Sequence, residues 1–164
     1  MNCERIRAVV IGGGKVGTRK ALALHEAGAD VRVIAPQISI ELCDTGESSD
    51  RLHIERREYA GRDDLFEAEL VFAATDSSEL NASIANDAAA LRRLVNVASD
   101  GNRGSFTSMA IHRAGRITVG VTAGGVPAAA ALIRDEIRDR FDDRYQQLID
   151  DLALERGKVE DTAR

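Results

Sequence analysis

Gly12, Gly14 and Gly17 stand in a G-x-G-x-x-G spacing within the run Gly-Gly-Gly-Lys-Val-Gly at residues 12–17. Between a strand and a helix, that spacing predicts a turn whose backbone binds a dinucleotide. Gly12 permits the tight turn, Gly14 lets the backbone approach a pyrophosphate, and Gly17 lets helix and strand pack closely. The start of the helix adds unpaired N–H groups and the positive end of its dipole, and both favour an anion. A glycine cluster alone also marks an ordinary turn, so the flanking elements decide between the two readings. Here the mainly apolar residues 6–11 precede the turn and a helix-like stretch, 18–27, follows it.

Those elements belong to a longer series. Residues 5–11 read as a buried strand, 20–27 as a helix closed by Gly28, and 30–35 as a second strand, which together make a βαβ unit with a right-handed crossover. Residues 44–50 are polar and turn-rich. Residues 52–59 read as a more exposed third strand, because Glu55, Arg56, Arg57 and Glu58 need water. The apolar run 70–74 ends in Thr75-Asp76. A helix at 79–92 follows, with Leu80, Ile84, Ala88 and Leu91 on one face, and then a strand at 94–98 that ends in Ser99-Asp100. This predicts an α/β, Rossmann-type doubly wound parallel sheet, with the glycine turn, Thr75-Asp76 and Ser99-Asp100 gathered at the carboxyl edge of its strands.

After Gly104 the pattern changes. Residues 117–122 alternate like a half-exposed antiparallel strand, and Gly124-Gly125 breaks it. Pro127 then opens one long amphipathic helix carrying Ile133, Ile137, Phe141, Tyr145, Leu148 and Leu152 at three- or four-residue intervals. We therefore expect a nucleotide-binding domain at residues 1–112 and a small dimerisation strand with a helical segment at 113–164. In so short a chain, a second subunit is the natural cover for that helix, which predicts a homodimer.

Composition narrows the function classes. The chain has 164 residues, 44% hydrophobic but only 4% aromatic, so its core is built from Ala, Val, Ile and Leu, as buried parallel strands require. A net charge of -5 argues against nucleic acid as the main partner. No apolar run approaches the roughly 18 residues of a membrane span, and the charged residues before Gly12 do not suit a signal peptide. Cys3 and Cys43 stand apart, as reduced thiols of a cytoplasmic protein do. His25, His53 and His112 lie in three different elements, so no metal site is expected.

Several motifs in order resemble one family, the precorrin-2 dehydrogenases, including the N-terminal part of siroheme synthase. They are Val9-Val10-Ile11 with the glycine turn, Arg19-Lys20-Ala21, Ala73-Ala74-Thr75-Asp76 with Leu80-Asn81, Val95-Asn96-Val97, and Gly124-Gly125 with Pro127. The resemblance implies NAD-dependent oxidation of precorrin-2 to sirohydrochlorin in siroheme biosynthesis by an intertwined homodimer, with iron insertion in some members. Carried onto this sequence, it places Lys15 and Val16 in the phosphate loop, Pro36 and Gln37 beside the adenosine ribose, and Thr75 and Asp76 along the cofactor. It also accounts for a gap in the fingerprint: the acidic ribose ligand expected about 20 residues after the glycines is missing, since the second strand ends Ile34-Ala35-Pro36. NAD is expected over NADP.

One departure from the family bears on chemistry. The family's aspartate, a general acid/base or an orienting group for the macrocycle, falls at Ser99, and the carboxylate comes one residue later, at Asp100. Successive strand residues face opposite ways, so the shift turns the carboxylate aside unless the loop 99–104 readjusts. Both readings stand, with Asp100 and Ser99 as the catalytic candidates. Serine can orient a substrate but has no acidity near neutral pH. If the carboxylate is lost to the site, the alternative is a non-catalytic NAD- or tetrapyrrole-binding module, a sensor or carrier. Asp76 has a second reading as a helix cap and Asp100 as a turn residue.

Overall fold

In the computed structural model, residues 3–141 and 143–162 are described, without the side chains of 143 and 157–162. The chain divides into two compact units, Met1–Thr107 and Ser108–Arg164. The division falls before residue 112 because residues on both sides of that position form a single strand.

The first unit holds β1 (Arg7–Ile11), β2 (Asp30–Ile34), β3 (Leu52–Glu55), β4 (Leu70–Ala73) and β5 (Leu94–Val97). They form one parallel sheet in the order β3-β2-β1-β4-β5, so the chain reverses direction across the sheet between β1 and β4. Helices α1 (Lys15–Glu26), α2 (Ile40–Glu47) and α3 (Ser78–Ala90) complete the unit. Val10, Val31, Val33 and Leu42 are buried in one apolar cluster, Ile11, Ile34, Val71 and Ile84 in another. Burial of each such side chain is worth about 1.5–3 kcal/mol. Apolar clusters on both sides of the strands explain why the strands read as continuous apolar runs.

Three local expectations are corrected. Helix α1 begins at Lys15, directly after the turn, so Gly17 lies inside it. The polar stretch at 44–50 is largely helical. Ser39 caps α2 by accepting from the Leu42 N–H at 3.3 Å, and Thr45 donates its hydroxyl back to the Glu41 carbonyl at 2.8 Å, which satisfies groups that otherwise favour turns. The third strand stops at Glu55, and the charges of Glu55 and Arg57 are paired. Arg57 binds Glu55 and Asp64, each at 2.5 Å, while Arg32 donates to the Asp64 carbonyl. The hydrogen bonds from Arg57 hold the buried Asp64 carboxyl below its usual range. Tyr59 donates to Asp87 at 3.1 Å, and burial followed by that bond raises its phenol. These contacts tie down the excursion between β3 and β4.

The second unit is a hairpin of β6 (Ala110–Ala114) and β7 (Ile117–Val121), with α4 (Pro127–Arg140) and α5 (Asp143–Thr162). Strand β6 was not expected from the sequence. The single long helix is also corrected to two, since Phe141 leaves helical geometry at φ −102° and ψ 71°. The Phe141 and Tyr145 rings still meet, with centroids 4.9 Å apart, so the apolar spacing runs across the break. Arg116 pairs with Asp150 at 2.9 Å.

Candidate dinucleotide site

Strand β1 delivers the glycine turn to the carboxyl edge, and each glycine there answers a different demand. Gly12 has φ +120°, and a Cβ on it would lie 2.3 Å from the Ala74 carbonyl oxygen. A Cβ on Gly17 would lie 1.9 Å from the Gly12 carbonyl oxygen, the close strand–helix approach that the motif requires. Around Gly14, by contrast, a Cβ would meet nothing within 4 Å. The protein's own packing therefore forces glycine at 12 and 17, and open space lies in front of Gly14. The same residue caps α1 without a side-chain hydrogen bond, and no acidic residue stands in the first turn. Free N–H groups, the positive dipole end and an unfilled backbone face fit the pyrophosphate of a dinucleotide.

The turn is buried at Gly12 and Gly13, exposed from Gly14 through Val16, and buried again at Gly17 and Thr18. Lys15 and Val16 thus form its outer lip. Residue 13 packs against the loop after β2, since a Cβ there would lie 2.2 Å from the Gln37 carbonyl oxygen. Pro36 and Gln37 are both exposed, and the Gln37 carbonyl adjoins the turn. Thr18 and Ser39 join their hydroxyls at 2.8 Å and so fix α1 to the start of α2. An open groove lined by Lys15, Arg19, Ser39 and Glu41 continues from the lip.

Thr75 lies beside the turn, with its N–H 3.1 Å from where a Gly12 Cβ would be. Asp76 is exposed, and the cap of α3 is Ser77, which accepts from the Leu80 N–H at 3.1 Å. The capping role read for Asp76 therefore belongs to its neighbour.

Beyond β5 the two catalytic candidates part. Ser99 accepts a hydrogen bond from the Asn81 amide at 3.3 Å, which links it to the Thr75 loop. Asp100 faces its own turn, accepting from the Asn102 N–H at 3.0 Å and pairing with Arg103 at 3.3 Å. The turn reading of Asp100 thus describes its present contacts. Sequence reasoning missed the part played by Asn81; an amide in the first turn of a helix, six residues beyond Thr75, was the available signal.

Comparison with known proteins agrees with this geometry. The model of the family described as "Putative NAD(P)-binding" matches residues 1–110. The siroheme synthase of Chromobacterium violaceum is 38% identical over 144 residues, 87% of this chain and 30% of that protein. That of Pseudomonas aeruginosa is 39% identical over 142 residues, 86% of this chain and 30% of that protein. The chain thus spans about a third of the length of these relatives. A solved structure, "SirC, precorrin-2 dehydrogenase", superimposes with a TM-score of 0.76 at 26% identity, over 90% of this chain and 72% of that one. NAD is the cofactor these matches support, and the open backbone face at Gly14 has room for its pyrophosphate. By its sequence, its parallel sheet and these matches, the chain belongs to the NAD(P)-binding family of the precorrin-2 dehydrogenases and siroheme synthases.

Proposed function

We propose that this chain oxidises precorrin-2 to sirohydrochlorin in siroheme biosynthesis, with NAD⁺ as the oxidant. The observation that carries the proposal is the convergence of the glycine turn, Thr75 and Ser99 on one sheet edge, in a chain that superimposes on a precorrin-2 dehydrogenase. When bound, NAD⁺ supplies the acceptor for a hydride from a C–H bond of the macrocycle. Balance then requires that one proton also leave the substrate.

The chain's own residues bind and orient. Gly12, Gly14 and Gly17, with the start of α1, hold the pyrophosphate, and Lys15 and Val16 border it. Pro36 and Gln37 flank the adenosine ribose, where no carboxylate ends the second strand, and NAD is taken over NADP from the family resemblance. Thr75 and Asp76 line the cofactor. Ser99 orients the macrocycle, and Asp100 accepts the departing proton once its contacts with Asn102 and Arg103 give way.

The second unit serves as the dimerisation segment of a homodimer. Supporting this, Leu132, Leu148, Leu152 and Leu154 are each more than half exposed, at 70%, 51%, 56% and 64%. We place the protein in the cytoplasm, as its free thiols at Cys3 and Cys43 support. Among the described residues, no helix is long and apolar enough to cross a membrane.

The test is conversion of precorrin-2 to sirohydrochlorin by the purified chain, with and without NAD⁺. Conversion that depends on NAD⁺ supports the proposal. Bound NAD⁺ without conversion favours the non-catalytic module, the reading that serine at position 99 supports.

A further inference from the structure

Asn81 sits in the first turn of α3 with 1% of its surface exposed, and every polar atom of its side chain is engaged. Its carbonyl oxygen accepts from the Thr75 N–H at 3.1 Å and from the Thr75 hydroxyl at 2.8 Å. Its amide nitrogen donates to the Thr75 carbonyl at 2.9 Å and to the Ser99 hydroxyl at 3.3 Å. One buried amide therefore grips both polar groups of the Thr75 backbone and reaches the loop after the neighbouring strand. Thr75 in turn adjoins the glycine turn through the Ala74 carbonyl, which lies against Gly12.

Mere support of α3 does not require this arrangement. Ser77 already caps the helix, and Ile84, Ala85 and Ala88 bury its apolar face. A small apolar residue at position 81 would satisfy the packing and leave the Thr75 N–H and carbonyl without partners. The loop beyond Ser99 is otherwise held from behind. There Ser105 bridges to the Val95 backbone at 2.7 Å, and Asn96 donates to the Phe106 carbonyl at 3.0 Å. Besides the backbone bond from the Ala98 N–H to the Ala73 carbonyl at 2.9 Å, the bond from Asn81 to Ser99 is, among the described residues, the side-chain tie between the front of that loop and the cofactor side.

We infer that Asn81 is a positioning residue for the reaction: its buried amide sets the place of the Ser99 hydroxyl relative to the Thr75 loop, and so of the substrate relative to the cofactor. It touches neither ligand and acts through Ser99 and Thr75. A displacement of about 1 Å at a reacting centre can cost on the order of a hundredfold in rate, so a link of this kind governs turnover more than affinity. The inference rests on the dehydrogenase reading above.

The test uses the full chain with NAD⁺ and precorrin-2. Asn81→Ala should lower kcat by about ten- to a hundredfold and change KM for NAD⁺ by less than about threefold. The double variant Asn81→Ala/Ser99→Ala should lose clearly less than the product of the two single losses, because both changes cut the same link. Asp64→Asn, which loosens the distant Arg57 cluster, separates positioning from general destabilisation and should leave kcat unchanged. Additive losses in the double variant, a loss confined to KM for NAD⁺, or an equal fall in kcat for Asp64→Asn would each overturn the inference. Should the wild-type chain bind NAD⁺ and yet form no NADH, the dehydrogenase reading is what fails. Amide exchange then decides about Asn81: faster exchange at residues 98–104 in Asn81→Ala supports the link, and unchanged exchange refutes it.

Discussion

The turn at residues 12–17 and the loop at residues 98–104 both follow parallel strands at one edge of the sheet, but side chains carry a larger share of the hold on the second. Backbone fixes the first: Gly12 presses on the Ala74 carbonyl and Gly17 on the Gly12 carbonyl, and neither position has room for a side chain. In the second, side-chain hydrogen bonds through Asn81, Asp100, Asn96 and Ser105 add to backbone bonds such as that from Ala98 to Ala73. A contact made by backbone tolerates no substitution at its glycines, while a contact made by side chains can shift by one residue and keep the loop. The residues proposed to bind the cofactor and those proposed to use it are thus held differently, and the candidate carboxylate, Asp100, lies in the loop with the side-chain contacts.

Four substitutions press on that difference. Gly17→Val should have the largest effect, because its Cβ would overlap the Gly12 carbonyl. We expect a loss above about 4 kcal/mol, seen as insoluble or unfolded protein by circular dichroism, and a folded variant would show that the turn is not fixed by backbone. Asp100→Ala should reduce turnover about a hundredfold with NAD⁺ affinity preserved in calorimetry; unaltered turnover would remove Asp100 from the chemistry. Gly14→Val fills the space that no protein atom occupies. It should weaken NAD⁺ about tenfold or more while the unfolding temperature stays within about 2 °C of wild type, whereas a cost in stability would mean that Gly14 serves the fold.

Asp64→Asn should touch neither loop and cost about 2 kcal/mol at pH 7. The folded-state pKa of Asp64 lies below its unfolded value. Its carboxylate therefore stabilises the fold above the unfolded pKa, and that contribution is lost as pH falls through the depressed folded value. Denaturant titrations should show the gap between variant and wild type closing toward acid pH, and a gap that widens would contradict the assignment.

The same contrast governs what could be read before the structure. The parallel sheet was legible because strands buried on both faces are continuous apolar runs, and the glycine turn was legible because backbone demands fix residue type. Helix α2 was hidden: Thr45, Gly46 and Ser48 suggest a turn, and only the folded chain shows Thr45 and Ser48 bonding back to the Glu41 and Asp44 carbonyls. The break at Phe141 was hidden by ring packing on Tyr145 that continues the helical spacing. At the site, the Gln37 carbonyl and Thr75 lie beside the turn. The direction of Asp100 and the grip of Asn81 depend on side-chain geometry across loops, which spacing along one strand does not specify.

This edge is proposed both to bind NAD⁺ and to reduce it, which a coupled absorbance assay tests. Precorrin-2 is added to the purified chain carrying NAD⁺, and the absorbance of NADH is followed together with that of sirohydrochlorin. One NADH should appear for each sirohydrochlorin formed, at a rate greatly reduced in Asp100→Ala. Confirmed NAD⁺ binding with no NADH on addition of precorrin-2 would contradict the proposal.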